Sequence, residues 1–450
     1  MRERLGHPLS ALFFAFLLTG PWVYIELTGG PSAYGLSHLG TVAVSGVAVL
    51  GASFLLAWGA ETAEKDVPRA FAIAVLAVLA VAPEYAVDAL YAWTAGANVG
   101  TPRGAEAANL AVANMTGANR ILIGLGWSGI AIFTVYQAKR TRDPAVETRD
   151  GWLADRVHID RSLALEIVFL LAATAYALAV PLGGGIGILD TVVLVGLYVV
   201  YIGVILRGDV EEHEEHVGVP AYLQEFARRH RVAITLFLFA FSGAMIYTAV
   251  HPFAHGLEEL GQAAGVPPFF MIQWIAPLAS ESPELIVVAY LVNKARSTAG
   301  FNALISSKLN QWTLLIGTLA VVYSLAAGQV GTLPFDHKQS AEIWITAAQS
   351  FFAIAILTNF SISVREAVAL LGLFVSQVAI EYAIIQTVAD PARAEHLSIL
   401  VLDGYTVVYL VLGAVLFVAR RDELRGIVRT TATTIQDAFT ASDPAVDQAD

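Results

Sequence analysis

Long, continuous apolar runs recur along the chain and predict membrane-spanning helices. A helical span needs about 20 apolar residues, and twelve runs of roughly this length are present. The predicted spans are 9–27, 37–60, 69–95, 105–127, 163–181, 187–206, 232–250, 267–292, 302–325, 341–359, 365–387 and 396–419. The short alternating segments of a transmembrane barrel are absent from the sequence. The pattern therefore predicts an all-α integral membrane protein with about 12 transmembrane helices.

Composition agrees with this class of protein. Charged residues make up 14% of the 450 residues and apolar residues 56%, whereas an ordinary soluble domain has about 25% charged residues. The absence of cysteine excludes a disulfide framework and a thiolate metal site. The net charge of −12 disfavours nucleic acid as a partner. The expected partners are the lipid bilayer and small cations, no cofactor is expected, and the oligomeric state stays open.

The basic residues predict the orientation, because short loops rich in Lys and Arg stay in the cytoplasm. With the N-terminus inside, 21 of the 26 basic residues fall on the inner side. Arg103, Lys338 and Arg393 fall outside, and two others lie within spans. We therefore expect a multi-pass protein of the plasma membrane with both termini in the cytoplasm. The first span could be a cleaved signal peptide, but its 19 residues exceed a usual signal core, which favours a retained helix.

Two predicted spans carry a Pro-Glu pair in their middle. Pro83 and Glu84 stand in VAPEYAVDALYAW, and Pro283 and Glu284 stand in ESPELIVVAYLVN. Proline lacks a backbone donor and clashes with the carbonyl one turn earlier, so we expect each helix to be broken beside its carboxylate. Freed carbonyls next to a carboxylate make an oxygen-rich site of the kind that Ca²⁺ needs. A kink with a carboxylate buried against a neighbouring helix would also explain either pair alone.

Each Pro-Glu span is followed by a second span of matching spacing. ANLAVANMTGANRILIG, 108–124, aligns without gaps with FNALISSKLNQWTLLIG, 301–317. The two Pro-Glu spans are an odd number of spans apart, so the two copies cross the membrane in opposite directions. The loop after the first Pro-Glu span holds only Arg103, whereas the loop after the second holds Lys294 and Arg296. Inverted repeats of this kind mark secondary transporters that alternate access around a central site.

Four carboxylates lie in pairs on the Pro-Glu spans. Glu84 and Asp88 are four residues apart, and Glu281 and Glu284 are three apart, so each pair shares one helix face. A charge at the membrane centre costs about 2.5–3.5 kcal/mol, so these carboxylates must face the interior of the bundle. There a cation, a basic partner or a proton can neutralise them. Because burial favours the protonated form, cation and proton can compete for the same oxygens, which is the physical basis of exchange.

Amide and hydroxyl groups complete a candidate cation-binding ring around these carboxylates. The candidates are Asn114, Thr116 and Asn119 in the first copy and Ser280, Ser282, Ser307, Asn310 and Gln311 in the second. Small polar residues also join membrane helices to one another, so each candidate has a structural alternative.

Arg120 and Lys308 are possible internal cations of this region. Lys308 lies near the inner end of its span and could extend its ammonium to the interface. Arg120 lies deeper. It could pair with Glu84 or Asp88 and occupy the room of a cation, or it could form a fixed salt bridge that stabilises the bundle.

At these residues the chain resembles the cation/calcium exchanger superfamily, which includes sodium/calcium and proton/calcium exchangers. The two repeats of that family carry a G-T-S-x-P-E motif on one helix and a G-S-N-x-x-N/D motif on the next. Pro-Glu matches in both copies here, in Leu79-Ala80-Val81-Ala82-Pro83-Glu84 and in Ser280-Glu281-Ser282-Pro283-Glu284, while the Thr-Ser of the motif is absent. Gly117-Ala118-Asn119 matches the second motif in two of three places, with Leu122 where Asn or Asp is expected. Ser307 with Gln311 is one possible register in the second copy.

The resemblance implies two inverted five-helix repeats that cover spans two to eleven, with one extra helix at each end. It also implies that Glu84 and Glu284 are the central metal ligands and that Ca²⁺, Na⁺ or H⁺ is transported. The expected organisation is an extra helix in 1–36, a first repeat in 37–206, a cytoplasmic acidic linker in 207–231, a second repeat in 232–387, an extra helix in 388–429 and a disordered tail in 430–450.

Other acidic residues have weaker support. The linker concentrates Glu211, Glu212, Glu214 and Glu215 with His213 and His216. It could sense calcium, another metal or pH, or it could be a solvated charged linker. Asp190, Glu381 and Asp403 also lie in or near spans and could line a water path.

We expect a secondary active antiporter that exchanges Ca²⁺ or a similar cation for Na⁺ or H⁺ by alternating access. The alternatives are a Na⁺/H⁺ antiporter and a receptor or scaffold whose site is filled permanently by Arg120. An intramembrane enzyme with paired carboxylates as acid and base is a further class. The sequence lacks a nucleophile elbow, HExxH or phosphate-binding glycine loop to support such an enzyme.

Overall fold

The computed structural model describes residues 7–67, 81–207 and 217–440. Within these residues, eleven helices or continuous helical segments are long and apolar enough to cross a membrane. They are Pro8–Leu27, His38–Ala63, Pro102–Thr141, Arg161–Gly183, Ile188–Arg207, Arg228–Ala263, Pro268–Asn293, Ser297–Ala327, His337–Leu357, Val364–Thr387 and Pro391–Ala419. The prediction of an all-α integral membrane protein is confirmed.

Sixteen α-helices are found in the described part of the chain. In order they are α1 Pro8–Leu27, α2 His38–Ala63, α3 Ala82–Ala97, α4 Pro102–Ile121, α5 Ser128–Thr141, α6 Ala164–Ala177, α7 Ile188–Arg207, α8 Val219–Gln224, α9 Arg228–Ala263, α10 Pro268–Asn293, α11 Ser297–Asn310, α12 Ile316–Ala327, α13 His337–Leu357, α14 Val364–Thr387, α15 Pro391–Ala419 and α16 Arg421–Thr440. Helix α3 is the C-terminal part of the predicted span 69–95, and residues 68–80 lie outside the description.

Two wide helical turns interrupt the spans that follow the Pro-Glu segments. Helix α4 passes through a π-helical turn, Leu122–Trp127, into α5, and α11 passes through a second one, Gln311–Leu315, into α12. Such turns hold one residue more than an α-turn and occur mostly at functional sites. The two copies of the sequence repeat therefore share an irregularity as well as a spacing.

Short strands tie the loops together in two places. Strand β1, Val146–Glu147, pairs with β2, Arg156–His158, and β2 pairs with β5, Ser361–Ser363. Strand β3, Gly185–Ile186, pairs with β4, Leu333–Pro334. Since β4 precedes α13 and β5 follows it, both ends of α13 are held by strand pairing.

A set of close helix contacts builds the centre of the bundle. Helix α4 packs against both α3 and α10, and α2 packs along α9. In α13, 89% of the most apolar stretch is buried inside the protein, so this helix lies in the interior of the bundle. Arg420 donates to the carbonyls of Ala355 and Ile356 at the end of α13 and pairs with Glu366 at the start of α14.

The C-terminal region differs from the sequence prediction. Helix α16 extends to Thr440, so the disorder expected from about 430 is incorrect for residues 430–440. Ile427, Thr431 and Ala438 are buried at helical spacing, and α16 packs against α6 and α7. The isolated Thr and Ala composition did not reveal this tertiary contact. Residues 441–450 and the acidic stretch 211–215 lie outside the described residues.

Gly117 sets the distance between α4 and α10. A Cβ atom built on it would lie 1.8 Å from the backbone oxygen of Gln273. We predict that Gly117→Ala destabilises the protein by about 1–3 kcal/mol or more, because the two helices would have to separate. The measurement is the melting temperature of the purified protein by fluorescence-detected size exclusion after heating.

Gly129→Ala is the matched control, since Gly129 is also helical and has no atom within 4 Å of the added carbon. That change should be neutral or stabilising, because Ala favours a helix over Gly by about 1 kcal/mol. Equal melting temperatures for the two variants would contradict the close packing.

Candidate functional site

Helix α3 presents Glu84 from its first turn. The helix begins at Ala82 with Pro83 next, where the missing N–H of proline costs nothing because the first turn has no intrahelical acceptor. The N-terminal end of a helix also favours a negative charge. Glu84 and Asp88 are both buried, with exposed fractions of 2% and 0%. The described part of this span therefore starts at the proline and directs both carboxylates inward.

Helix α10 is continuous from Pro268 to Asn293, so the break predicted at Pro283 is not present. The proline is tolerated inside the helix at the loss of one backbone donor, which leaves the carbonyl of Ala279 without its usual partner one turn later. The hydroxyl of Ser282 donates to the Leu278 carbonyl of the same helix. Neighbouring side chains and backbone adjustments of this kind allow proline within membrane helices.

Glu84 and Glu281 bring the two Pro-Glu segments together. Both side chains are buried, and they lie near enough for each carboxyl group to act on the other. Asp88 and Glu284 also act electrostatically on Glu84. Neither oxygen of Glu84 has a hydrogen-bond partner of good geometry among the described residues, and the same holds for Glu281 Oε2. Four carboxyl groups thus converge with several acceptor oxygens free for a ligand.

Helix α11 and its wide turn supply partners for the carboxylates of α10. Ser307 Oγ donates to Glu284 Oε2 at 3.0 Å, and Gln311 Nε2 donates to Glu281 Oε1 at 2.7 Å. Because Ser307 and Gln311 are one turn apart, the same face of α11 meets the pair of acids on α10. Ser307 and Gln311 are the pair that the sequence offered as one possible register in the second copy.

Asp88 and Asn114 make the corresponding contact in the first half. Asn114 Nδ2 donates to Asp88 Oδ1 at 2.8 Å, while Asp88 Oδ2 has no partner among the described residues. Both side chains are buried. One lone carboxylate oxygen therefore faces the bundle interior one turn away from Glu84.

Lys308 does not reach the membrane interface, contrary to one of the expectations from the sequence. Its side chain is fully buried, and Nζ donates to Asn119 Oδ1 at 2.6 Å and to the Asn119 carbonyl at 3.4 Å. The ammonium also lies 4.3 Å from the centre of the Trp312 ring. It acts electrostatically on Glu84 and Glu281. We call Glu84, Asp88, Glu281 and Glu284 the carboxylate cluster, and Lys308, rather than Arg120, is the basic residue beside it.

The partners of Arg120 are not Glu84 or Asp88, the two residues that the sequence suggested. Its guanidinium donates to Glu342 Oε2 at 2.6 Å and to Gln377 Oε1, and it lies 4.8 Å from the centre of the Trp274 ring. Arg120 follows Asn119 in α4, but successive helix positions point in different directions. The guanidinium therefore lies among α10, α13 and α14.

The contacts of Arg120 continue into a second buried polar network. Gln377 Nε2 donates to Glu381 Oε2 at 3.0 Å, and Lys338 Nζ pairs with Glu381 Oε1 at 3.1 Å. We call Arg120, Lys338, Glu342, Gln377 and Glu381 the buried salt-bridge array. Two basic groups face two carboxylates, so the array neutralises itself. The carboxylate cluster, in contrast, places four acidic side chains beside one lysine.

Several other predicted residues lie elsewhere. The hydroxyls of Ser280 and Ser282 donate to carbonyls of their own helix. Thr116 donates to the Val112 carbonyl and receives a weak bond of 3.5 Å from Gln273, and Asn310 ends α11 half-buried. Asp190 accepts from Tyr176 and from the Gly187 amide at the start of α7, and Asp403 is exposed on α15. The structure does not bring these side chains to the carboxylate cluster.

The sequence reasoning missed three residues of the buried salt-bridge array, Lys338, Glu342 and Gln377, and it named Glu381 only as a possible lining of a water path. Lys338 and Glu342 are four residues apart in α13, and Gln377 and Glu381 are four apart in α14. Charged or amide side chains at helical spacing on one face of a span must face the interior. That signal was available, but it does not reveal which helix carries the complementary charge. Lys338, which the distribution of basic residues placed on the outer side of the membrane, is only 7% exposed.

A membrane bundle whose centre holds converging carboxylates from two oppositely placed helices defines a secondary cation transporter. The chain belongs to the sodium/calcium exchanger protein family, whose sequence profile matches residues 37–207 and 234–383. Members of this family are secondary transporters and not enzymes. Small cations and the lipid bilayer are therefore the partners of this protein.

Solved structures of similar proteins agree with this assignment. The crystal structure of the H⁺/Ca²⁺ exchanger CAX superimposes with a TM-score of 0.81 at 41% identity, covering 95% of this chain and 98% of that one. Native YfkE superimposes with a TM-score of 0.55 at 15% identity, covering 81% of this chain and 98% of that one, which shows a common fold. A comparison with curated protein sequences gives no match.

From the contacts in the buried salt-bridge array, we predict that Arg120 stabilises the fold and has no effect on which ion the protein prefers. Arg120→Met would leave the Glu342 carboxylate buried without its guanidinium, and removal of one partner of a buried pair costs about 3–5 kcal/mol. We expect a clearly lower melting temperature, with partial recovery in Arg120→Met combined with Glu342→Gln. The ability of other cations to compete with Ca²⁺ should not change below the melting temperature.

Arg103→Met is the matched control, because Arg103 is exposed at the start of the same helix. It should change the free energy of unfolding by no more than about 0.5 kcal/mol, so the melting temperature should stay close to that of the unaltered protein. An altered ion preference in Arg120→Met at unchanged stability would show that Arg120 belongs to the transport site after all.

Proposed function

We propose that this protein exchanges Ca²⁺ for H⁺ across the membrane, with Glu84, Glu281, Glu284 and Asp88 as the groups that carry both ions. The observation on which this proposal depends is the burial of Glu84 and Glu281, from opposite halves of the chain, near enough for each to act on the other. Both Glu84 oxygens and Glu281 Oε2 lack a hydrogen-bond partner among the described residues, and carboxylate oxygens are hard ligands of the kind that Ca²⁺ prefers. The similarity to the H⁺/Ca²⁺ exchanger CAX supports this choice of ions.

Exchange follows from the shortage of positive charge at this site. The buried carboxylates must be neutralised in every state of the transport cycle, because a net charge inside the membrane is costly. Ca²⁺ neutralises them in one state and protons neutralise them in the other. Neither ion can leave until the other arrives, so movement of one drives the other.

Two inverted repeats provide the change of access in this proposal. Repeat one, 37–206, contributes Glu84 and Asp88, and repeat two, 232–387, contributes Glu281 and Glu284. A rocking motion of one repeat relative to the other around a shared site opens it to each side in turn. We further propose that the protein lies in the plasma membrane with both termini in the cytoplasm, as the distribution of its basic residues favours.

A scaffold whose site is filled by Arg120 is disfavoured by the position of that residue. The guanidinium is bound to Glu342 and Gln377 and is therefore engaged away from Glu84. Exchange of Na⁺ for H⁺ is the alternative that the experiment below distinguishes.

The test is ion flux in proteoliposomes that contain the purified protein. An imposed pH gradient should drive uptake of ⁴⁵Ca²⁺, while ²²Na⁺ should not move under the same gradient. We predict that Glu84→Gln and Glu284→Gln each lower Ca²⁺ flux at least about 100-fold, because each removes a charged ligand whose binding energy exceeds about 2.7 kcal/mol. Melting temperatures should stay close to that of the unaltered protein.

Glu395→Gln provides the matched control, since Glu395 is exposed near the start of α15. It should transport Ca²⁺ at the original rate. Proton-driven uptake of ²²Na⁺ without uptake of ⁴⁵Ca²⁺ would replace the proposal by the Na⁺/H⁺ alternative. Full activity in both Glu→Gln variants at the central positions would reject the site.

A further inference from the structure

A cavity of about 80 Å³ lies where α3 ends, α4 begins and the C-terminal part of α9 passes both helices. A cavity of this size has room for more than one water molecule. Its lining includes four exposed charged or titratable side chains, Arg103, Glu106, His251 and His255. The cavity therefore opens to water at this end of the bundle. The orientation proposed above places this end on the outer side of the membrane.

Two residues of the cavity lining lie one helical turn from the contact between Asp88 and Asn114. Tyr91 follows Asp88 by three residues in α3, and Leu110 precedes Asn114 by four residues in α4. Residues at these spacings share a helix face and are about 5–6 Å apart. Helices α3 and α4 pack side by side and are joined by a short loop, so they run in opposite directions. Tyr91 and Leu110 therefore lie on the same side of the contact, between it and the open part of the cavity.

A hydrogen bond crosses from α3 to α9 beside this cavity. The hydroxyl of Tyr91 donates to Glu258 Oε1 at 2.7 Å. The side chain of Tyr91 is only 4% exposed, and that of Leu110 is 3% exposed. Tyr91 belongs to the first proposed repeat and Glu258 to the second. A separation of the two repeats at this end of the bundle would have to break this bond.

The position of the cavity and this bond give Tyr91 a role in exchange, which rests on the function proposed above. We propose that the cavity is the outer entrance of the ion path and that Tyr91, held by Glu258, is its gate. While the bond is intact, Tyr91 and Leu110 separate the water of the cavity from Asp88. When the bond breaks, a cation or a proton passes between the cavity and the carboxylate cluster. Tyr91 therefore controls access to the ion ligands and is not one of them.

Thiol modification tests the entrance, because the chain contains no cysteine of its own. Leu110→Cys and Ala107→Cys each place one thiol in the cavity lining on α4. The cationic thiol reagent MTSET should modify both variants and lower their Ca²⁺ flux in proteoliposomes at least about tenfold, because a fixed positive charge in the path repels cations. Val99→Cys is the matched control, since Val99 is exposed between the same two helices and does not line the cavity. Its modified form should keep the original flux.

The gate is tested by the rate at which MTSET modifies Leu110→Cys in purified protein. Tyr91→Phe removes only the hydroxyl and should raise this rate about ten- to a hundredfold, the usual contribution of a hydrogen bond to a charged group. Thr94→Ala is the matched control, because Thr94 lines the same cavity and its hydroxyl donates to the Leu90 carbonyl of its own helix. Thr94→Ala should leave the rate unchanged. Equal rates in the Tyr91→Phe and Thr94→Ala variants would overturn the gate.

Glu258→Leu breaks the same bond from the other side. It should raise the modification rate as Tyr91→Phe does, and the two changes together should have no larger effect than either alone. Additive effects would show that the two side chains act independently and would overturn the proposal. Val112→Cys reports general loosening, because Val112 is completely buried in α4 and does not line the cavity. Faster modification of Val112→Cys when it is combined with Tyr91→Phe would also overturn the gate, since the bond would then serve folding.

The flux of the unaltered protein separates this inference from the proposed function. If the unaltered protein exchanges Ca²⁺ for H⁺, and fully modified Leu110→Cys and Ala107→Cys keep the original flux, only the assignment of the entrance is wrong. The same conclusion follows if neither thiol reacts with the reagent. If the unaltered protein does not exchange Ca²⁺ for H⁺, the proposed function itself is wrong and this inference falls with it.

Discussion

An ionised side chain inside a membrane-spanning bundle must be compensated by another charge, and this constraint organises the whole interior of the protein. The chain meets it in two different ways. The buried salt-bridge array balances Arg120 and Lys338 against Glu342 and Glu381 within the polypeptide. The carboxylate cluster is left incomplete, because four acids share one ammonium. We therefore expect the balanced network to contribute to stability, and we propose the carboxylate cluster for ion binding.

The sequence repeat relates the two segments that supply the carboxylate cluster. In the gapless alignment of 108–124 with 301–317, Asn114 and Ser307 occupy equivalent positions. Asn114 binds Asp88, and Ser307 binds Glu284, so the equivalent residue of each copy donates to an acid of the preceding Pro-Glu helix. The copies share the equivalent acids Glu84 and Glu284 and differ in the position of the second acid, Asp88 in one and Glu281 in the other. The result is a cluster with approximate rather than strict symmetry.

Much of this architecture follows from local sequence, because hydrophobic length and the Pro-Glu spacing are properties of single helices. Apolar runs located the spans, and the repeated pair located Glu84 and Glu284. What could not be predicted are relations between helices. The partner of Arg120 lies 222 residues away in α13, and the position of Lys308 depends on how α11 meets α4. The break expected at Pro283 is absent because the helix tolerates one lost backbone donor, a tolerance that the surroundings decide.

Strand pairing at the two ends of α13 restricts the movement of this helix along its axis. Strand β4 stands directly before this helix and β5 directly after it, and each is bonded to a loop from the first half of the chain. A helix that is held by strand pairing at both ends cannot move along its axis unless the backbone hydrogen bonds of those strand pairs break. Helices α2 and α9 pack along each other and take no part in either sheet. Of these three helices, α13 alone is therefore held at both ends by strand pairing.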